Sequence, residues 1–324
     1  MNRFTVKALC ATAAMLASLG AAAQGYPNKP IRIVVPFPAG GMSDIVTRAT
    51  GDELAKLLGQ PFVIENKPGA GSTLGAEFVA KSPPDGYTLL LATTSTLSVA
   101  PHLYKTSMRY DAERDLVPIS LLARSPNLLL VAPDLPAKNV QELIALAKAK
   151  PGTLSFASAG IGAITHLQGE QFKLVTGTDI VHVPYKGSSL AVPDINTGRV
   201  HMMIDVVGVH YTQVQAGKMR ALAAMTDKRL AVLPNVPSIA ELGFPALAAD
   251  TWFGLVAPAT TPPEVIAKLQ TAIAKAFDNA ALRDKFTALG VELVGSTPAE
   301  MTKVVKADSD RWSRVIREGK VSVQ

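Results

Sequence analysis

Ile31-Arg32-Ile33-Val34-Val35-Pro36-Phe37-Pro38-Ala39-Gly40-Gly41-Met42-Ser43-Asp44-Ile45-Val46 changes its character half-way along. The β-branched run Ile31 to Val35 reads as a buried strand. Two prolines and two glycines break it. From Ser43 the apolar residues Ile45, Val46, Ala49, Leu54, Leu57 and Leu58 fall on one helical face. Ser43 or Asp44 can cap that helix and Gly59 can end it. A strand, a tight loop and a helix in that order make half of a βαβ unit. Phe62 to Ile64 is the next strand, Asn66 to Gly71 a turn, Ser72 to Lys81 a helix and Thr88 to Ala92 a third strand. This alternation predicts a parallel-rich sheet covered by helices.

The pattern repeats after a break expected near Arg124-Ser125-Pro126. Strands are expected at Leu128–Val131, Leu154–Ala157, Ile180–Val183, Val200–Val207 and Ala221–Met225. Helices are expected over Val140–Lys150 and up to about Leu174. The tail from Pro263 onward reads as mostly helical. Two such units give an α/β protein of two lobes with a ligand cleft between them, at the carboxyl ends of the strands. The expected limits are 24–123 plus 251–324 for lobe 1 and 124–250 for lobe 2. The chain would cross near Leu122-Ala123 and near Thr251-Trp252-Phe253.

The 324 residues are 48% hydrophobic and 18% charged, which excludes a disordered chain. Cys10 is the single cysteine, so an intrachain disulfide framework and a cysteine-held metal are excluded. Arg3 and Lys7 precede an apolar run from Ala8 to Leu19, then Gly20-Ala21-Ala22-Ala23. This is the pattern of a secretory signal, residues 1–23, cleaved before Gln24 and delivering the chain to the periplasm. An uncleaved anchor is the alternative, but the run is short for a span. The formal charge of +6 includes two units on that leader. Basic residues are scattered without interleaved aromatics, which excludes a nucleic-acid partner and leaves a mild preference for an anionic small ligand.

The loops carry the candidate chemistry. In Phe37-Pro38-Ala39-Gly40-Gly41 with Asp44, glycines allow close backbone approach and the following helix presents free N–H groups. The same residues would also serve as a plain capped turn. Ser158-Ala159-Gly160-Ile161-Gly162, followed by Thr165, repeats the design in the second unit. Two such loops face to face would hold a carboxylate by backbone donors. Gly160-Ile161-Gly162 lacks the third glycine of a dinucleotide fingerprint, so no nucleotide cofactor is expected. Thr94 and Ser95 follow the third strand and can cap a helix or donate to a ligand. Tyr185 and Lys186 can present a phenol and a cation. Asp205 ends a strongly apolar strand, where a carboxylate needs a partner; it can cap the next turn or accept a proton from a hydroxyl or amine of a ligand. No nucleophile elbow and no metal-binding helix occur. His166 with Glu170 is an isolated pair, and His182 and His201 read as core histidines. No catalytic residue, metal or cofactor is therefore assigned.

Tyr26-Pro27-Asn28-Lys29-Pro30, Pro36 to Gly41 with Asp44, Glu65 to Gly71, Pro84-Asp85-Gly86-Tyr87-Thr88, His182 to Gly187 and Gly254 to Pro258 occur in that order. Together they resemble the Bug family (Bordetella uptake gene proteins), the solute receptors of tripartite tricarboxylate transporters. The resemblance runs through nearly the whole chain after the leader. It implies a periplasmic-binding-protein fold with two crossings between lobes, and the C-terminal helices packed back on the first. It implies capture of small carboxylated solutes without chemistry, and delivery to membrane permease subunits by a monomer. A di- or tricarboxylate, an amino acid or an aromatic acid would serve as ligand. Ile161 and Ile164 make the second loop more apolar than the family pattern, and Val206-Val207-Gly208 replaces a more polar stretch. The rival readings are a receptor that signals to a sensor kinase and a periplasmic hydrolase.

Overall fold

The computed structural model describes residues 25–323. The expected leader and Cys10 lie outside the described residues. Strand β1 (Ile31–Val35) is followed by helix α1 (Met42–Leu58), β2 (Phe62–Asn66), α2 (Thr73–Ala80) and β3 (Thr88–Thr93). β1 lies between β2 and β3 and is parallel to both. Its Ile31, Ile33, Val34 and Val35 are fully buried, as a continuous apolar strand must be when helices cover both faces. α1 ends where Gly59 turns left-handed at φ 69°. Its N-cap is Gly41, not Ser43 or Asp44; both expected caps lie inside the helix.

A short helix α3 (Ala100–Leu103) leads to β4 (Leu116–Val131). The second unit follows with α4 (Val140–Ala149), β5 (Ser155–Ser158), α5 (Ile164–Thr176), β6 (Val181–Pro184), α6 (Val192–Asn196), β7 (Met202–Val206), α7 (Val207–Gln215) and β8 (Arg220–Ala224). β5 is parallel to both β6 and β7, which repeats the first fan. The chain returns through β9 (Asp250–Pro258) and closes with α8 (Pro263–Ala276), α9 (Ala280–Thr287), β10 (Glu292–Leu293) and α10 (Pro298–Glu318).

The break expected at Arg124-Ser125-Pro126 does not exist. β4 runs for 16 residues straight through it. From Leu116 to Pro126 it pairs antiparallel with β9, and from Asn127 to Val131 antiparallel with β7. Proline has no ladder donor, and Pro126 stands where the β9 pairing ends and the β7 pairing begins. The two parallel fans are thus joined by an antiparallel spine, in the order β2-β1-β3-β9-β4-β7-β5-β6. Register shifts at Pro118/Ser120 and Leu121/Ala123 disrupt the alternation of the first half of β4, which is why it escapes a pattern search.

α8 packs in the first lobe, with Val265, Leu269 and Ile273 against Val46 and Leu54. α10 packs on that lobe too and reaches beyond it. Its Met301 sits with Leu121 and Trp252, and Trp312 and Val315 sit between Val99 and Leu103 of the first lobe and Ile164 and Leu167 of the second. A helix of 21 residues is roughly 30 Å long, enough to reach both. Among the described residues no helix is long and apolar enough to cross a membrane.

Candidate solute-binding site

Three strand-to-helix turns converge on one cavity. Gly41, Met42 and Ser43 come from the start of α1, Ala163, Ile164 and Thr165 from the start of α5, and Gly187, Ser188 and Ser189 from the turn after β6. The cavity holds about 670 Å³ of empty space, part of it open to solvent. Phe37, Pro38, Val206, Val209 and Phe253 give it apolar walls, and Thr93, Ser95 and Thr251 add hydroxyls. Helix starts carry partial positive charge and unsatisfied N–H groups. A cavity ringed by them, and lined by no arginine or lysine among the described residues, attracts an anion through dipoles and hydrogen bonds.

The lobes are closed over this space. Tyr104 donates its hydroxyl to the Ile161 carbonyl at 2.8 Å, and Ile164 N–H donates to Ser95 Oγ at 2.9 Å. A Cβ on Gly187 would stand 3.2 Å from the Pro38 ring, and one on Gly162 2.7 Å from the Tyr104 ring. Tyr104→Phe deletes the first of these bonds while keeping the ring. Solute affinity is expected to fall about threefold to tenfold, the value of one hydrogen bond; unchanged calorimetric affinity would show that the bond contributes nothing to closure.

Asp44 anchors the first loop. It accepts from Gly40 N–H at 3.1 Å, Arg48 Nε at 3.0 Å and Asn66 Nδ2 at 3.0 Å, and Asn66 also donates to the Phe37 carbonyl. Burial alone would raise its carboxyl; bonds from Arg48, Gly40 and Asn66 outweigh this and hold it below the usual range. A stack of rings supports the second loop. His166 and His182 lie face to face, 3.9 Å between centroids, and the Phe156 ring lies 4.8 Å from His182 and 6.3 Å from His166. His182 Nε2 is 2.6 Å from Ser158 Oγ, which accepts from Gly160 N–H, and Gly162 N–H donates to His166 Nδ1. Burial, then the neighbouring His182 and Lys173, push the His166 imidazole down to about 3. Burial, then Lys173, push His182 to about 4.

A family model described as "Tripartite tricarboxylate transporter family receptor" matches residues 46–321. The chain belongs to that family. Protein BugT of Bordetella pertussis is 38% identical over 95% of this chain and 94% of its own. The structure of the periplasmic binding protein BugD matches with a TM-score of 0.86, 32% identity and 92% of this chain against 100% of that one. A Rhodopseudomonas palustris protein solved with adipate matches at TM-score 0.87 and 36% identity, over 92% and 99% of the two chains. MatC of the same organism, solved with bound malate, matches at 0.85 and 32%, over 90% and 100%.

Of the site residues expected in this receptor, Phe37, Pro38, Gly41, Ser95, Ala159, Thr165 and Asp205 line the cavity. Ala39 and Gly40 are exposed at the loop tip. Asp44 and Ser158 lie behind the wall, as the bonds above show. The amides of Gly40, Ala159, Gly160 and Gly162 all donate to protein acceptors. The expected clasp by glycine amides is therefore revised: these glycines shape the loops, and the helix starts beside them face the cavity. Ile161 gives its carbonyl to Tyr104 and stands outside the lining. Thr94 is fully buried and its hydroxyl has no partner. Tyr185 turns to Asp194 at 2.7 Å, and Lys186 is exposed. Gly187, Ser188, Ser189, Thr251 and Phe253 were not expected. The first three follow a strand and precede a helix, as in the other two turns, so the signal was present in Pro184-Tyr185-Lys186-Gly187-Ser188-Ser189. Among the described residues no cluster of His, Asp and Glu could hold a metal ion.

Proposed function

We propose that this chain is a periplasmic receptor that captures a small carboxylated solute between its lobes, as a single chain, and delivers it to the membrane subunits of a tripartite transporter. The observation that carries the reading is the meeting of the turns before α1, before α5 and after β6 around one cavity between the lobes, which no arginine or lysine among the described residues lines. The adipate and malate complexes of the related proteins support it. Lobe limits of 24–123 plus 251–324 and 124–250 agree with the partner exchange of β4 after Pro126. The leader around Arg3 and Lys7 supports export to the periplasm. The role is binding without turnover. Among the described residues the one histidine ring bonded to a lining residue, that of His210, is turned to Asp205 and not to a hydroxyl of the wall.

The test begins with mass spectrometry of small molecules carried through native purification. The acid found is then titrated beside its amide. Charge-assisted bonds are worth about 1.5–3 kcal/mol each, so the amide is expected to bind roughly tenfold to a hundredfold more weakly. Equal affinity for the two would refute the anion site.

A further inference from the structure

Among the described residues Asp205 is the one ionisable side chain lining the cavity. It stands next to the last residue of β7, where it pairs in register with Leu128, and it is only 4% exposed. Its Oδ2 lies 2.8 Å from Nε2 of His210, which is fully buried. Among the described residues no donor reaches the other carboxylate oxygen, although the residue faces the cavity. The protons in this pair can be placed. His210 Nδ1 is buried and has no partner. A second proton there would create a buried charged donor without an acceptor, which is far costlier than an idle lone pair. His210 is therefore neutral and donates through Nε2, and the pair carries one negative charge on Asp205. The start of α7, immediately after Asp205, places its positive end beside that charge.

A carboxylate so placed, in a cavity meant for an anion, needs explaining. A second carboxylate of the ligand near it would meet like charge in a poorly solvated space. A cationic nitrogen would meet an acceptor with a free oxygen. We infer that the solute is an amino acid, its carboxylate held by the helix starts and its ammonium by Asp205. This rests on the carboxylate reading above and narrows it. The cavity walls formed by Phe37, Val206, Val209 and Phe253 then receive an apolar or weakly polar side chain. Simple di- and tricarboxylates are selected against.

The experiment titrates ligand-free protein with three pairs of one skeleton each: glutamate and glutarate, leucine and 4-methylpentanoate, phenylalanine and 3-phenylpropanoate. At least one amino acid is expected to bind, with its deaminated partner tenfold or more weaker. Asp205→Asn keeps an acceptor for His210 and is expected to bring that ratio to within about threefold, as a charged bond becomes a neutral one. Deaminated acids that bind as well as or better than the amino acids overturn the inference and leave the carboxylate reading standing. So does a preference that survives in Asp205→Asn. If none of the six binds, the amino-acid inference falls, and the carboxylate reading is decided by the acid-and-amide titration above. The wild-type ratios decide the matter even if the variant does not fold.

Discussion

Acidification from pH 7 to about 4.5 is expected to remove roughly 3–4 kcal/mol of folding stability through two stacked histidines. An unfolded histidine titrates near 6.5, whereas in the folded chain His166 is held at about 3 and His182 at about 4. The stabilisation is complete above the unfolded value. It is lost as pH falls from about 6.5, because the unfolded chain takes up protons that the folded one refuses. His166 is 5% exposed and accounts for about 2.5 kcal/mol at 1.36 kcal/mol per pH unit. His182 is only half-buried, so solvent screening leaves about 1 kcal/mol. Asp308 works in the opposite sense. Burial, against a bond from Trp252, raises its carboxyl to about 6. Protonating it on the way down restores at most about 2 kcal/mol. The histidine effect is therefore read most cleanly in Asp308→Asn, which keeps the Trp252 bond. In that background His166→Asn, whose side-chain oxygen can still accept from Gly162 N–H, is expected to lose most of the acid sensitivity in denaturant unfolding at the two pH values. An undiminished drop would remove the stack as its cause.

The same stack shows what could be seen in the sequence and what could not. His166 read as an isolated pair with Glu170 and His182 as a core histidine, because nothing in a linear pattern brings residues 16 apart ring to ring. The strand–turn–helix at Ile31 to Leu58 was legible, since its period switches within a few residues and glycines mark the turn. Asp205 was legible as a carboxylate that an apolar strand must compensate, but its partner His210 was not singled out. β4 was half legible: its second half is the plain run Leu128 to Val131, while Pro118, Ser120 and the bulges hide the first. The tail was legible as helix, and the apolar spacing of α10 agrees with its buried face, which carries Met301, Trp312 and Val315. Spacing says nothing about which lobe that face meets; the helix packs on the first lobe and also reaches Ile164 and Leu167 of the second, a contact that nothing in the linear pattern announces.

Trp312→Ala tests the helix that both lobes share. Trp312 is 1% exposed and lies among Val99 and Leu103 on one side of the cleft and Ile164 and Leu167 on the other. Removing a buried tryptophan is expected to destabilise by about 3–5 kcal/mol, from lost burial and the cavity left behind. The Arg311 guanidinium lies 5.0 Å from its ring centroid and donates to the Ala248 and Ala246 carbonyls, so the rest of the tether can persist in the variant. Ile164, one wall of the space left by the indole, also makes the cross-cleft bond to Ser95. The vacated volume thus lies where closure brings the lobes together, and the closed form loses more contacts than an open one. Solute affinity is expected to fall together with the melting temperature, and Trp312→Phe to recover most of both, because ring contact is what the site uses: the indole N–H has no partner. Loss of stability with affinity intact would mean that α10 steadies the fold without taking part in closure.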